Sequence, residues 1–350
     1  MLVRAVDIAG RKVGNGFPCF IIAEAGVNHN GNLETALALV DVAAAAGADA
    51  VKFQTFQAEK LVSPLAPKAA YQSKATGPAS QLEMLKHLEL PPAAFGKLLA
   101  HCAQRGILFL STPFDEGSVD LLGSLAVSAF KTPSGEITNL PFLEYVARKG
   151  KPMIVSTGMA TLGEVEAAVR AIESAGQHEY VLLHCVSAYP APPSDTNLRA
   201  MQTLEAAFGA PVGYSDHTLG IEISLAAVAL GACVLEKHFT LDRQLPGPDH
   251  RASLEPAELQ QFVESVRVVE SALGHGRKEP APSEADAAAA SRRSLVAACD
   301  IPEHAVLSEE LIAARRPGTG LPPSMRPFLR GRRARKAIAA GTILTLEMIE

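Results

Sequence analysis

The chain has 350 residues, 48% hydrophobic and 20% charged, with no tryptophan, enough apolar material for one large core and a smaller second one. A net charge of −5 and a pI near 6.1 argue against nucleic acid or an anionic membrane as the main partner. No apolar run approaches the roughly 18 residues that span a bilayer, and MLVRAVDIAG lacks the charged start and apolar block of a signal peptide.

The elements follow in chain order. Residues 1–18 hold a G-R-K-V-G-N-G turn between short apolar runs, which predicts a hairpin covering the bottom of whatever follows. Strands are then expected at 20–24 (FIIAE), 49–54 (DAVKFQ), 107–111 (ILFLS), 128–132 (SAFKT), 153–156 (MIVS), 181–185 (VLLHC), 212–215 (VGYS) and 233–238 (CVLEKH). Helical patterns lie between them. LETALALVDVAAAAG (33–47) and LGEVEAAVRAIESAG (162–176) both close on glycine, a common helix stop. The 57–95 stretch is too long for a simple connection and predicts an elaborated loop on the active face. Eight βα units in about 270 residues predict a (β/α)8 TIM barrel. A doubly wound open sheet is disfavoured, because no GxGxxG follows the first strand.

At 275–291 the pattern breaks into HGRKEPAPSEADAAAAS, rich in Pro, Ala and charge. The expected organisation is a barrel domain over 1–276, a linker over 277–290 and a small domain over 291–350. The small domain carries ten Arg/Lys against six Asp/Glu, whereas the rest of the chain is acidic, so the two are expected to dock within or between subunits. The cysteines, Cys19, Cys102, Cys185, Cys233 and Cys299, are odd in number, far apart and form no CxxC. Reduced, buried thiols and a cytoplasmic location are expected.

In such a barrel the chemistry sits at the C-terminal strand ends. In order, the strands deliver Glu24; Lys52 and Gln54; Ser111 and Thr112; Lys131, then Ser134 and Glu136; Ser156 and Thr157; Tyr189; Ser215 and His217; and His238, followed by Asp249 and His250. Two lysines and several hydroxyls converging on one face suit a phosphorylated or carboxylated small molecule. His217 and His238 stand about one barrel repeat apart, so adjacent strands present them together. Either imidazole alone could be a packed or acid/base histidine; the pair beside Glu24 and Asp249 also suits a divalent metal. His184 reads as packing or as support behind the site, and His29 in GVNHNG as backbone shaping around the substrate.

AEAGVNHNG (23–31), VKFQTF (51–56), APKAAYQ (66–72), SQLEMLKHLEL (80–90), STPFD (111–115), KTPSGEITNLPFLE (131–144), STGMAT (156–161), YSDHT (214–218), EKHFTLDR (236–243) and GPDHRASLEP (247–256) closely resemble the bacterial N-acetylneuraminate (sialic acid) synthases. RRSLVAACDIP (292–302) and RRPGTGLPP (315–323) resemble the small antifreeze-like (SAF) β-clip domain that ends those enzymes. The resemblance implies condensation of phosphoenolpyruvate with an N-acetylated amino sugar, normally N-acetylmannosamine, to a nine-carbon 2-keto acid and phosphate. It implies a divalent metal, most commonly Mn2+ with Mg2+ or Co2+ as alternatives, and a domain-swapped homodimer.

It also implies roles for single residues. Lys52, Thr112, Lys131, Ser134, Ser156 and Ser215 would hold phosphoenolpyruvate, and His217 and His238 the metal. Glu24, Gln54, Glu136, Tyr189 and Asp249 would meet the sugar or move protons, with Glu24 or Glu136 as general base. Arg316 would reach the sugar's N-acetyl group in the partner's site. Related synthases take 2,4-diacetamido-2,4,6-trideoxyhexoses, giving legionaminic or pseudaminic acids, or N-acetylmannosamine 6-phosphate. Ser187 and Ala188 before Tyr189 depart from the expected pattern and leave the sugar open. A non-catalytic sugar-binding protein is the alternative from another class.

Overall fold

Eight short parallel strands wrap into a barrel in this computed structural model, which describes residues 5–69, 72–73, 76–77 and 80–350. Ala70 and Tyr71 of the APKAAYQ motif, and the first four residues of the N-terminal segment, lie outside the described residues. A hairpin of β1 (Val6–Ile8) and β2 (Arg11–Val13) comes first. The barrel strands are β3 (Phe20–Gly26), β4 (Ala50–Thr55), β5 (Leu108–Pro113), β6 (Phe130–Thr132), β7 (Met153–Ser156), β8 (Tyr180–Cys185), β9 (Val212–Asp216) and β10 (Val234–His238). Their order, β5-β4-β3-β10-β9-β8-β7-β6, is the cyclic order of a (β/α)8 barrel. β5 and β6 pack together without a hydrogen-bonded ladder, so the barrel is nearly closed.

Side chains alternate across each strand, and that period divides the chain's chemistry into two layers. Residues facing outward, such as Ile21, Val51, Phe109, Val155, Leu182 and Leu235, pack under the surrounding helices. Residues facing inward near the strand starts, including Ile22, Ala50, Leu110, Ala129, Ile154 and Val234, fill the lower barrel. Val6, Ile8 and Val13 of the hairpin plug that apolar floor from below. Asp49 ties the same end together: its carboxylate accepts from Ile21 N (2.8 Å), Arg11 Nη1 (2.7 Å) and Arg267 Nη2 (3.0 Å), the last from the helix Pro256–Leu273. Two residues further along the same inward faces stand Glu24, Lys52, Thr112, Lys131, Ser156 and Glu236. The floor is apolar and the mouth is polar because the inward face changes character halfway along each strand.

The helices start where capping side chains permit. Asn32 Oδ1 accepts from Thr35 N (3.0 Å) ahead of Leu33–Ala45, and Thr161 and Glu164 form a capping box ahead of Leu162–Ser174. The expected glycine stops, Gly47 and Gly176, adopt φ of +79° and +91° just beyond these helices. The 57–95 segment carries a turn of helix at Ala58–Leu61, a capped helix at Gln81–Leu88 and the start of Pro92–Arg105, so it has more regular structure than a loop.

The chain divides into two compact units, Met1–Gly274 and His275–Glu350. The second holds the helix Ala285–Ser291 and the antiparallel pair β11 (Ser294–Ala297) and β12 (Ile312–Arg315). Its own core is built from Leu295, Ile301, Leu307, Ile312, Leu329, Ile338 and Leu344. The stretch expected as a linker, 277–290, is thus part of this unit and largely helical at its end. Four cysteines are buried as expected, but Cys299 is exposed. Among the described residues, no helix is long and apolar enough to cross a membrane.

Candidate active site

Lys52 on β4 and Lys131 on β6 rise inside the barrel, 2% and 4% exposed, just above the apolar floor. Two buried ammonium groups so placed need counter-charges. Lys52 Nζ lies 2.8 Å from Glu24 Oε2 on β3 and 3.6 Å from Glu236 Oε2 on β10, and it donates to Thr112 Oγ1 on β5 at 2.8 Å. Lys131 Nζ lies 3.4 Å from Glu236 Oε1, which also accepts from Ser215 Oγ on β9 at 3.0 Å. Ser134 Oγ donates to Ser156 Oγ (3.0 Å) and accepts from Gly158 N (3.1 Å). Lys52, Thr112, Lys131 and Ser215 are thus linked through Glu24 and Glu236, while Ser134 and Ser156 are joined to each other.

The charges in this layer are unequal. Burial alone would raise Glu236, yet Lys131 and Lys52 outweigh it and hold this carboxyl well below the usual carboxylate range. Glu24 goes the other way: burial dominates, Glu236 adds repulsion, and the Lys52 attraction does not cancel them. Burial also lowers Lys131, only partly offset by Glu236. Asp249, in the loop after β10, is pushed up to about 6 by burial, with His217 pulling against the shift.

His217 follows β9 and His238 ends β10, with ring centroids 5.4 Å apart. Tyr189 lies against both, at 4.1 Å from His217 and 5.8 Å from His238. His217 Nδ1 is 2.8 Å from the Val186 carbonyl, so this nitrogen is the donor and the neutral ring keeps its lone pair on Nε2. His238 is lowered far below the ordinary imidazole range by burial and by the nearby His217 and Lys52 charges. Its Nδ1 is buried with no hydrogen-bond partner among the described residues. His217 goes the other way from His238: burial would lower it, but the Cys185 charge and hydrogen bond and the Val186 carbonyl raise it. Once His217 gives up its proton, the two imidazoles, one oriented by a backbone carbonyl, fit a divalent cation. Among the described residues, no third His, Cys, Asp or Glu completes a cluster of three, so water or substrate oxygens would fill the remaining positions.

Gly26 shows how closely these groups meet. Its φ is +53°, and a Cβ there would lie 3.3 Å from Glu24 Oε1, 3.4 Å from Gln54 Nε2 and 3.5 Å from His238 Cε1. Gln54 therefore belongs to the same site. Glu136 lies in the turn Ser134–Glu136 that follows β6, with its carboxylate accepting from Asn139 Nδ2 at 2.7 Å. Ser111 faces Thr55 Oγ1 (2.7 Å) and Thr157 donates to the Leu183 carbonyl (2.9 Å), so neither joins the lysines. His184 packs outward with Nε2 2.7 Å from the Thr196 carbonyl, and His29 Nδ1 accepts from Gly31 N at 3.0 Å, both in keeping with the sequence. Arg316 is exposed in the second unit, just beyond β12.

Sequence reasoning missed two members. Glu236 is the counter-charge shared by both lysines, and it sits two residues before His238 on the same strand face, a spacing that could have revealed it. Cys185 ends β8 with Sγ 3.7 Å from His217 Nδ1. Burial would raise this thiol, but His217, Ser134 and Lys131 bring it down to about 7. A cavity of about 720 Å3 lies elsewhere, lined by Phe56, Lys86, Pro92 and Leu121, and its Lys86 is already paired with Glu59.

A near-closed (β/α)8 barrel with buried lysines, carboxylates and paired histidines at its polar mouth, followed by a small β unit, defines a class of barrel enzyme acting on anionic substrates. The chain belongs to the NeuB family, whose model matches residues 39–278, and it carries a SAF domain over residues 292–350. It is 49% identical over 342 residues to the N,N'-diacetyllegionaminic acid synthase of Legionella pneumophila, covering 96% of each chain. It is 52% identical over 304 residues to the N,N'-diacetyllegionaminic acid synthase of Campylobacter jejuni, covering 86% of this chain and 91% of the relative. The solved N-acetylneuraminic acid (sialic acid) synthetase of Leptospira borgpetersenii, in complex with citrate, superposes with a TM-score of 0.72 at 38% identity. That match covers 81% of this chain and 95% of the other.

Proposed function

We propose that this protein condenses phosphoenolpyruvate with the open-chain aldehyde of an N-acetylated amino sugar, releasing phosphate and forming a nine-carbon 2-keto acid. The sugar it takes is 2,4-diacetamido-2,4,6-trideoxymannose, and the product N,N'-diacetyllegionaminic acid. The observation that carries the reaction is the buried layer in which Lys52 and Lys131 face the counter-charges Glu24 and Glu236 beside Thr112, Ser156 and Ser215. The choice of sugar rests on the two legionaminic acid synthases that match most of the chain. N-acetylmannosamine, the substrate the sequence motifs favour, becomes the second reading, supported by the sialic acid synthetase superposition.

The mechanism follows from the charges. Phosphoenolpyruvate brings a phosphate and a carboxylate to lysines already held in place, so little reorganisation is needed at binding. As Lys52 exchanges Glu24 for a substrate oxygen, Glu24 loses its stabilising partner and becomes more basic. C3 of phosphoenolpyruvate forms the new bond to the aldehyde carbon, and positive charge develops at C2. Water adds at C2, its proton passing to Glu24. The tetrahedral intermediate then breaks the bond between C2 and the phosphate oxygen as its C2 hydroxyl becomes the ketone; the hydroxyl proton leaves with the phosphate, whose charge is balanced by Lys52 and Lys131. The aldehyde oxygen gains its proton on the side of His217, where Asp249, held near 6, can supply one. His217 and His238 would hold a divalent cation, Mn2+ foremost, whose chemistry is Lewis-acid polarisation of the aldehyde. Arg316 of a partner subunit would contact an N-acetyl group of the sugar.

The decisive experiment follows phosphate release with manganese present, comparing the diacetamido-trideoxymannose, N-acetylmannosamine and its 6-phosphate, each with and without chelator. Fast, chelator-sensitive release with the first sugar is expected. Preference for N-acetylmannosamine would restore the second reading, and no release with any sugar would overturn the reaction itself.

A further inference from the structure

We infer that Asp216 and Lys237, which face away from the barrel lumen, form a buried clamp that sets the position of His217 relative to His238 and so tunes cation affinity. The inference rests on the proposed metal site. Asp216 and Lys237 are paired directly across β9 and β10, and each lies one residue before a candidate ligand. Their side chains are 0% and 1% exposed and meet at 2.7 Å, Lys237 Nζ to Asp216 Oδ2.

The pair is wired into the turn that carries His217. Asp216 Oδ1 accepts from Thr218 N (2.8 Å) and Thr218 Oγ1 (2.7 Å), and Oδ2 also accepts from Ser224 Oγ (2.5 Å), on the helix that follows. Lys237 Nζ reaches across the strands to donate to the Thr218 carbonyl at 2.9 Å. The residues on both sides of His217 are thus tied to the strand that bears His238. The His217 carbonyl is held separately by Ala191 N at 2.9 Å. Strand alternation explains the division of labour: Ser215, His217, Glu236 and His238 face the lumen, so Asp216 and Lys237 must face outward. A simple strand pair would not need an ion pair there. Apolar side chains fill most of the neighbouring outward positions, such as Tyr214 and Leu235. Replacing a buried ion pair by neutral side chains of similar volume is often tolerated, so a stabilising role alone gives little reason for it. Holding the turn after β9 in one register gives a reason, because a ligand ring displaced by a fraction of an ångström weakens a site that has only two protein ligands.

The test uses the full-length double variant Asp216→Asn/Lys237→Met, which removes both charges and keeps the volume. Mn2+ affinity is measured by electron paramagnetic resonance, well below the melting temperature. Phosphoenolpyruvate affinity is measured by calorimetry with chelator present. Manganese binding 10- to 100-fold weaker, with phosphoenolpyruvate affinity and melting temperature near wild type, is the expected result. Manganese affinity equal to wild type in the folded variant overturns the clamp while leaving the histidines as ligands. If the double variant does not fold, Thr218→Val removes one hydroxyl contact to Asp216. Weaker manganese binding then supports the clamp, and unchanged binding overturns it. His217→Ala and His238→Ala are the controls: wild-type manganese affinity in either overturns the metal site and the clamp together.

Discussion

At the scale of single residues, the site turns on how two buried carboxylates divide their work. Glu236 is fixed between the two lysines and stays ionised, whereas Glu24 is raised to about 7 by burial and by Glu236 itself. Glu24 is charged and able to accept a proton only above that value. The acid limb of kcat/KM for phosphoenolpyruvate should therefore fall with decreasing pH below about 7, with unit slope. Glu24→Asp should move this limb and Asp249→Asn should not; a limb indifferent to Glu24 would remove it as the base. Glu236→Gln has a different consequence. It leaves two ammonium groups with one carboxylate, and breaking such a buried pair costs about 3–5 kcal/mol. Thermal melting should show that loss, and added phosphate should raise the melting temperature more in the variant than in wild type, because the anion supplies the missing charge.

At the scale of elements, each barrel strand has two ends with different duties. The hairpin β1–β2 seals the apolar end, where Ile8 is fully buried among Phe20, Ile22 and other floor residues. Ile8→Ala should cost about 2–5 kcal/mol of stability by leaving a cavity. It should leave phosphoenolpyruvate affinity unchanged, since the lysines stand at the other end; parallel calorimetry and denaturant titration check both halves. At the polar end of β3, Gly26 adopts φ +53°, and Glu24, Gln54 and His238 line the space where a Cβ would go, Glu24 most closely. Gly26→Ala forces an L residue into left-handed backbone at roughly 1–2 kcal/mol and sets its methyl tightly against Glu24 Oε1, in contact with Gln54 and His238. Its kcat should fall at least tenfold, far more than that modest stability loss explains. A variant with normal kcat would show that the strand end tolerates displacement.

At the scale of the whole molecule, two units each bury a core of their own, so loss of the second need not unfold the first. The proposed role of the basic SAF unit is to bring Arg316 to a partner's sugar. A hydrogen bond from a charged group is worth about 1.5–3 kcal/mol, so Arg316→Ala should raise the sugar KM by roughly tenfold or more while the phosphoenolpyruvate KM stays within twofold. Sedimentation of the intact protein should give a dimer. An unchanged sugar KM, or a fully active monomer, would take the second unit out of the site.

The amino-acid sequence by itself determined the barrel, because eight β-branched runs, glycine helix stops and period-two alternation are local properties that each segment carries alone. It also placed Lys52, Lys131, Thr112, Ser215 and the two histidines at the right strand ends, since chain order fixes which residue tops each strand. Tertiary structure alone decided which groups touch. Glu236 meets lysines on β4 and β6, far off in the chain, and no periodicity reports such a distance. Tertiary structure also turned Cys185 toward His217 and joined Asp216 to Lys237 behind the histidines. Proton affinities followed the same rule, because burial and neighbouring charge exist only once the barrel has closed around its polar mouth.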